Sequence, residues 1–218
     1  MADELRDERR PIRVVALNGS ERYEGSTALL LRRARDYVAR RGADMEVIAL
    51  AAHRIDLCRC GRCNSRPDPC PVDDDVSTIV ARMARADAIV YAAPVHGFGM
   101  AAVMQAFIER AGVGYLRFSR PLTNKVGGVI VVGRRYSHEA VHAQLLNNLL
   151  LNRMIVAGSG FPAVVHAGGP GVVDMDSEGL DSMYRMLDRM VDLTFVLRDP
   201  PNPLGEPAAV ELRSGVLA

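Results

Sequence analysis

Short apolar runs rich in Val, Ile and Ala alternate along this chain with longer stretches whose apolar residues recur at helical spacing. IRVVALNGS (residues 12–20) is a β-branched run ending in small polar residues, which predicts a buried strand. STALLLRRARDYVARRG follows, with Leu29, Leu30, Ala34, Tyr37 and Val38 at helical spacing and Gly42 at the expected stop. MEVIAL (45–50) predicts a second strand, and DDDVSTIVARMARA a helix with acidic residues at its positive end. DAIVYAAPV then reads as strand three, MAAVMQAFIERA as a helix, KVGGVIVVG as strand four and EAVHAQLLNNLLLN as a long helix. RMIVAGSGF (153–161) predicts a fifth strand, with PAVVHAGG as a candidate extra one. SEGLDSMYRMLDRMVDLTFVLR is a last amphipathic helix, with Ser177 placed to cap it.

Five strands alternating with helices imply an α/β fold, a doubly wound parallel sheet with helices on both faces. Such sheets bind ligands beyond the carboxyl ends of their strands, so the loops after strands one, three and four are where chemistry is expected. The organisation read from the chain is one domain over residues 1–198, a Cys-rich insertion at 56–72, and an extended proline-rich tail at 199–218.

Composition narrows the partners. The 27 basic and 26 acidic residues leave a net charge of +1, which gives no reason to expect nucleic acid or an anionic membrane. The charged start, MADELRDERR, lacks the apolar region of a secretory signal, and no apolar run approaches the ~20 residues of a membrane helix. A cytoplasmic protein is the expectation, and reducing conditions there argue against structural disulfides.

The loop after strand one, NGSERYEGST, lacks the G-x-G-x-x-G of a dinucleotide fold. It offers Ser20, Arg22, Ser26 and Thr27 instead. Hydroxyls and free N–H groups at a helix N-terminus suit an anion, and Arg22 adds a charge-assisted donor. The bland alternative is that Ser26 and Thr27 only cap the helix. After strand three, Pro94, Gly97 and Gly99 make a turn that lets backbone approach a flat ligand, with His96 and Phe98 beside it. After strand four comes GRRYSHEA, either a ligand edge or a solvated charged turn.

All four cysteines lie in CRCGRCNSRPDPC: Cys58, Cys60, Cys63 and Cys70. Four soft thiolates in one short loop suit a metal, and a 4Fe–4S cluster needs four. Zinc, bare thiols, and a redox pair between Cys60 and Cys63 remain open on the same residues. Arg59, Arg62 and Arg66 would offset the charge of a thiolate-bound cluster.

The loop GSERYEGST followed by DDDVSTIVARMARADAIVYAAPVHGFGMAAVMQAFIER resembles the NADPH-dependent FMN reductase and iron–sulfur flavoprotein family, over about residues 12–158. The resemblance implies a flavodoxin-like sheet of order 2-1-3-4-5 and an FMN-dependent NAD(P)H oxidoreductase. It implies FMN phosphate on Ser20, Arg22, Ser26 and Thr27, and the ring beside Pro94, Val95, His96, Gly97 and Phe98. Gly133, Arg134, Arg135, Tyr136 and His138 would meet the flavin's edge, where positive charge stabilises the reduced anion. His96 and Tyr136 are the candidate catalytic side chains. NAD(P)H would be the electron donor, and a quinone, free flavin or organic molecule the acceptor. Cys60, Cys63 and Cys70 match the family's cluster spacing, whereas the gap from Cys58 is one residue short. The sequence also departs at His96 (commonly Tyr), Gln105 (commonly Lys) and Glu109 (commonly Asp, before Arg110). Reductases of this kind cover their flavin with neighbouring subunits, so a homodimer or homotetramer is expected. A flavodoxin-type electron carrier is the alternative of a different class, and this neutral chain lacks the acidity usual for one.

Overall fold

The computed structural model describes residues 10–59, 70–112, 120–168 and 172–198. The tail from 199 onward, together with Cys60 and Cys63, lies outside the described residues. Strand β1 (Ile12–Asn18) pairs in parallel with β2 (Ala43–Ala49) on one side and β3 (Ala88–His96) on the other. Beyond β3 lies β5 (Val126–Gly133), again parallel. With the short β6 (Ile155–Val156) beyond β5, the sheet order β2-β1-β3-β5-β6 is the flavodoxin-like order expected from the sequence.

Both faces of this sheet are buried, which is why its central strands read as continuous apolar runs. Alternate residues of β1 go to opposite sides. Val14 and Ala16 meet Leu30, Leu31, Ala34 and Val38 of helix α1 (Ser26–Ala39) and Met186 and Met190 of α5 (Ser177–Leu197). Val15 and Leu17 join a second core with Ile79 and Met83 of α2 (Val76–Arg85) and Phe107 of α3 (Ala102–Arg110). Leu145 and Leu149 of α4 (His138–Leu151) complete that layer.

The fifth strand position differs from the expected single run. Only Ile155–Val156 (β6) pairs with the start of β5, and Val164–His166 (β7) pairs with its end. Between them Gly160 has φ +92° and Pro162 has no N–H to donate, so one continuous ladder cannot form. A second correction concerns α5. Its N-terminus is capped by Asp176, whose carboxylate accepts the Gly179 N–H at 3.0 Å, and Ser177 is the first helical residue. After β3 the chain reverses at once into β4 (Gly99–Met100), paired antiparallel to Val95 and His96. The two turn residues, Gly97 and Phe98, both have positive φ (54° and 66°), the signature of a tight type I′ hairpin. No helix among the described residues is long and apolar enough to cross a membrane.

Candidate active site: a cleft at the carboxyl rim of the sheet

The turns that follow β1, β5 and β7 and the carboxyl end of β3 enclose a cleft of about 830 Å³ at one end of the sheet. Its size suits a cofactor-sized ligand. The first wall is the turn from Gly19 into α1. Asn18 Oδ1 accepts the Ser20 N–H at 3.1 Å, and Ser20 Oγ accepts the Arg22 N–H at 3.1 Å, so the turn is built by its own side chains. Gly25 occupies the N-cap of α1, and no side chain caps the helix. Ser26 and Thr27 sit inside its first turn rather than serving as caps, which removes the bland alternative for these hydroxyls. An uncapped helix start facing a cleft is a place for an anion. Ser20, Arg22, Ser26 and Thr27 all line the cleft.

Pro94, Val95 and His96 form the second wall, and Gly133 and Arg134 the third. His96 Nδ1 lies 3.2 Å from Glu21 Oε2, and Glu21 Oε1 accepts the Val103 N–H of α3 at 3.3 Å. Glu21 thus ties the first turn to the third strand's turn and fixes the histidine between them. Phe98 and Tyr136 are 70% and 60% exposed, yet their rings meet at 5.5 Å. They form an aromatic pair between the β3 and β5 turns without lining the cleft itself. Gly97 and Arg135 are likewise outside its wall.

His138 occupies a different place from the one expected at the flavin edge. It is 2% exposed, and its imidazole fills the space where a Gly133 side chain would stand. Its ring lies 4.8 Å from that of His166, whose Nδ1 is 3.3 Å from Asp176. His138 therefore supports the cleft from behind. Further along the same helix, burial pushes the His142 pKa down.

Several cleft residues were not expected from the sequence. Arg32 lies nearly two turns into α1, on the line Ser26, Leu29, Arg32, and brings a third cation to the cleft beside Arg22 and Arg134. Glu24, Val132, Ala167 and Gly168 complete the lining. The glycine pair closing VVHAGG was the available signal for Gly168, hidden because that segment reads as an optional strand.

The cysteine loop leaves and re-enters the fold beside α3. Cys58 and Cys70 are half-buried free thiols. Arg110 closes the base of the loop. Its side chain is 1% exposed and makes a two-pronged pair with Asp74 at 2.6 and 3.0 Å, itself 0% exposed. Burial alone would lower the Arg110 pKa, but the Asp74 carboxylate raises it well past its ordinary value. Burial would raise Asp74, and the Arg110 hydrogen bond with the Asp56 and Val76 N–H groups holds it below the usual carboxylate range. Among the described residues no three Cys, His, Asp or Glu side chains converge as a metal site; Cys60 and Cys63 are outside that set.

A parallel sheet of this order with an uncapped helix start and an open cleft at its switch point defines a flavodoxin-like binding fold. Solved structures agree on the fold. RosB with a bound 8-demethyl-8-formylriboflavin-5′-phosphate superposes with a TM-score of 0.68 at 19% identity, over 87% of this chain and 81% of that one. The NAD(P)H:(acceptor) oxidoreductase FerB of Paracoccus denitrificans gives 0.63 at 15% identity, over 85% and 98%. An iron–sulfur flavoprotein of Methanocaldococcus jannaschii is 37% identical over 164 residues, 74% of this chain and 83% of that protein. The NADPH-dependent FMN reductase family profile matches residues 12–169. The chain belongs to that family and is an NAD(P)H-dependent flavin oxidoreductase.

Proposed function

We propose that the cleft holds FMN, and that the protein takes electrons from NAD(P)H and passes them to an acceptor, a quinone, a flavin or another organic molecule, through a 4Fe–4S cluster on Cys58, Cys60, Cys63 and Cys70. The observation that carries the FMN site is the uncapped start of α1 facing the cleft with Ser20, Ser26, Thr27 and Arg22 around it. A phosphate dianion is the ligand such a site is built for, and Arg22 and Arg32 offset its charge. Pro94, Val95 and Gly133 offer low walls without bulky side chains to a flat ring. Arg134 places positive charge beside Gly133, where a reduced, anionic ring edge gains most.

When bound, FMN supplies the exchange between two-electron nicotinamide and one-electron chemistry. The protein's own part is to orient and to shield. His96, held by Glu21, stands at the rim as the candidate proton donor, and Tyr136 on Phe98 forms the platform on which a flat acceptor would stack. The thiolates fit a cluster by donor chemistry, four soft sulfurs within thirteen residues, and a related iron–sulfur flavoprotein supports the assignment. A second reading, the same reductase with bare thiols, is favoured by the short gap between Cys58 and Cys60. The expected assembly is a homodimer or homotetramer, with the adjacent exposed Leu150 and Leu151 at the end of α4 as its candidate contact.

The test is anaerobic purification with iron, sulfide and flavin assayed, followed by NADPH oxidation with a quinone. A flavin band with a broad brown shoulder and about four iron per chain is expected. Flavin without iron selects the second reading, and a colourless protein that does not bind FMN overturns both.

A further inference from the structure

The guanidinium of Arg110 has more partners than a fold-stabilising ion pair requires. Nη1 donates to Asp74 Oδ2 at 2.6 Å and to the Asp56 carbonyl at 2.5 Å. Nη2 donates to Asp74 Oδ1 at 3.0 Å and lies 3.6 Å from Cys70 Sγ, within hydrogen-bonding range for sulfur. Asp74 in turn accepts the N–H of Asp56 at 2.9 Å and of Val76 at 3.2 Å. One residue pair therefore touches the segment that enters the cysteine loop, the segment that leaves it, and the sulfur at its exit. A neighbouring rung repeats the pattern: the Arg54 N–H donates to Asp75 Oδ2 at 2.8 Å and the Asp75 N–H to the Arg54 carbonyl at 3.0 Å.

The Asp74 carboxylate neutralises the arginine, so what reaches Cys70 is a directed N–H and little net charge. Arginine suits this task because its planar fork grips the carboxylate with two donors and still has N–H bonds for other partners. A lysine in its place has no fixed fork. An ion pair this deeply buried is poor evidence of stabilisation, since its desolvation offsets much of its attraction. Its geometry is better explained by what it holds in place.

We propose that Arg110 is a positioning residue for Cys70: it pins both feet of the cysteine loop together and donates an N–H to the sulfur that ligates the metal. The metal part of this inference rests on the cluster reading above; the pinning of the loop does not. Outer-sphere partners of this kind orient ligands, and their loss costs about 10–100-fold in metal affinity. Hydrogen bonds to cluster sulfurs also set the reduction potential. The donor favours the more negative, reduced form, so losing it moves the potential downward.

The experiment compares the full-length protein with Arg110→Lys and with Arg110→Met/Asp74→Asn, which removes both buried charges together. Each is reconstituted with ferrous iron and sulfide. Three quantities are read: the chelator concentration that strips iron, the cluster midpoint potential, and amide exchange in metal-free protein over residues 54–59 and 70–76. The expected results are iron lost at about 10–100-fold less chelator, a potential more negative than wild type in Arg110→Lys, and faster exchange at both loop feet. FMN affinity serves as the control for folding and is expected to hold. Faster exchange with an unmoved potential overturns the sulfur contact, because a purely structural role would do just that. Unchanged exchange overturns the pinning. If wild-type protein takes up no iron, the cluster reading falls alone, and Arg110 stands or falls on the exchange result.

Discussion

Replacing Gly133 by alanine tests whether the cleft wall is as rigid as its packing implies. Gly133 ends β5, lines the cleft, and accepts the Ala167 N–H at 2.7 Å through its carbonyl. Its φ is not in the left-handed region, so alanine meets no backbone objection and sterics alone decide. An added Cβ would stand 2.6 Å from His138 Nε2, 3.0 Å from its Cδ2 and 3.1 Å from Val95 Cγ2. Comfortable contact begins near 3.5 Å, so the imidazole must retreat by roughly 0.9 Å. It has little room, being buried and packed against a histidine that Asp176 holds. Overpacking of this kind costs about 1–3 kcal/mol, against the ~0.5–1 kcal/mol returned by removing a glycine's backbone freedom. At about 2–4 °C per kcal/mol, the apo-protein Tm should fall by several degrees. FMN affinity should weaken on the order of tenfold, since about 1.4 kcal/mol of wall displacement suffices. Gly158→Ala, where a Cβ meets nothing within 4 Å, should leave FMN affinity unchanged and raise Tm slightly, by the ~0.5–1 kcal/mol of backbone freedom alone. In Gly133→Ala/His138→Ala the clash is gone, so the double variant should be more stable than the sum of the singles, by ~0.5–3 kcal/mol. Scanning calorimetry and FMN fluorescence titration read both quantities. An unshifted Tm with unchanged affinity, or strict additivity with His138→Ala, would refute the reasoning.

Asp176 should give the protein an acid-sensitive hinge between β7 and α5. Burial raises its pKa, but the His166 and Gly179 N–H groups outweigh this and hold it below the ordinary value. A group lowered on folding contributes stability above its unfolded pKa, about 3.9, and loses it as pH falls through the folded value. Asp176→Asn, an equally good cap, should therefore show a shallower loss of urea midpoint between about pH 5 and 2.5 than wild type. Tyr91 sits in the core with its hydroxyl buried and without a hydrogen-bond partner among the described residues, and burial raises its pKa. Tyr91→Phe should be neutral or stabilising by up to ~1–3 kcal/mol in chemical denaturation, and a loss of stability would reveal a hidden partner.

The strands that carry the cleft were legible because both of their faces are buried. IRVVALN, AIVYAAPV and VGGVIVVG are apolar without alternation, and each runs to the cleft at its carboxyl end. The first turn was legible from its small hydroxyl residues. Three features were not. The split of the fifth strand depends on where Gly160 and Pro162 break the pairing, and a run such as RMIVAGSGF shows strand propensity without showing register. His138 reads as a site residue because it follows a site glycine, yet side-chain direction at a helix start decides whether it faces the ligand or the core. Arg110 looks like an ordinary polar residue at a helix end. Its partners Asp56, Cys70 and Asp74 are 36 to 54 positions away, and only the fold brings them together.

The central claim is that the start of α1 is a phosphate site within a flavin cleft. It is tested most directly by titrating the apo-protein with FMN and, separately, with riboflavin, which has the same ring and no phosphate. Two or more charge-assisted hydrogen bonds at ~1.5–3 kcal/mol each predict FMN binding tighter by on the order of 100-fold or more. The preference should fall sharply in Arg22→Ala/Arg32→Ala. Equal affinity for the two ligands, or a preference that survives loss of both arginines and of the Ser26 and Thr27 hydroxyls, would contradict the account.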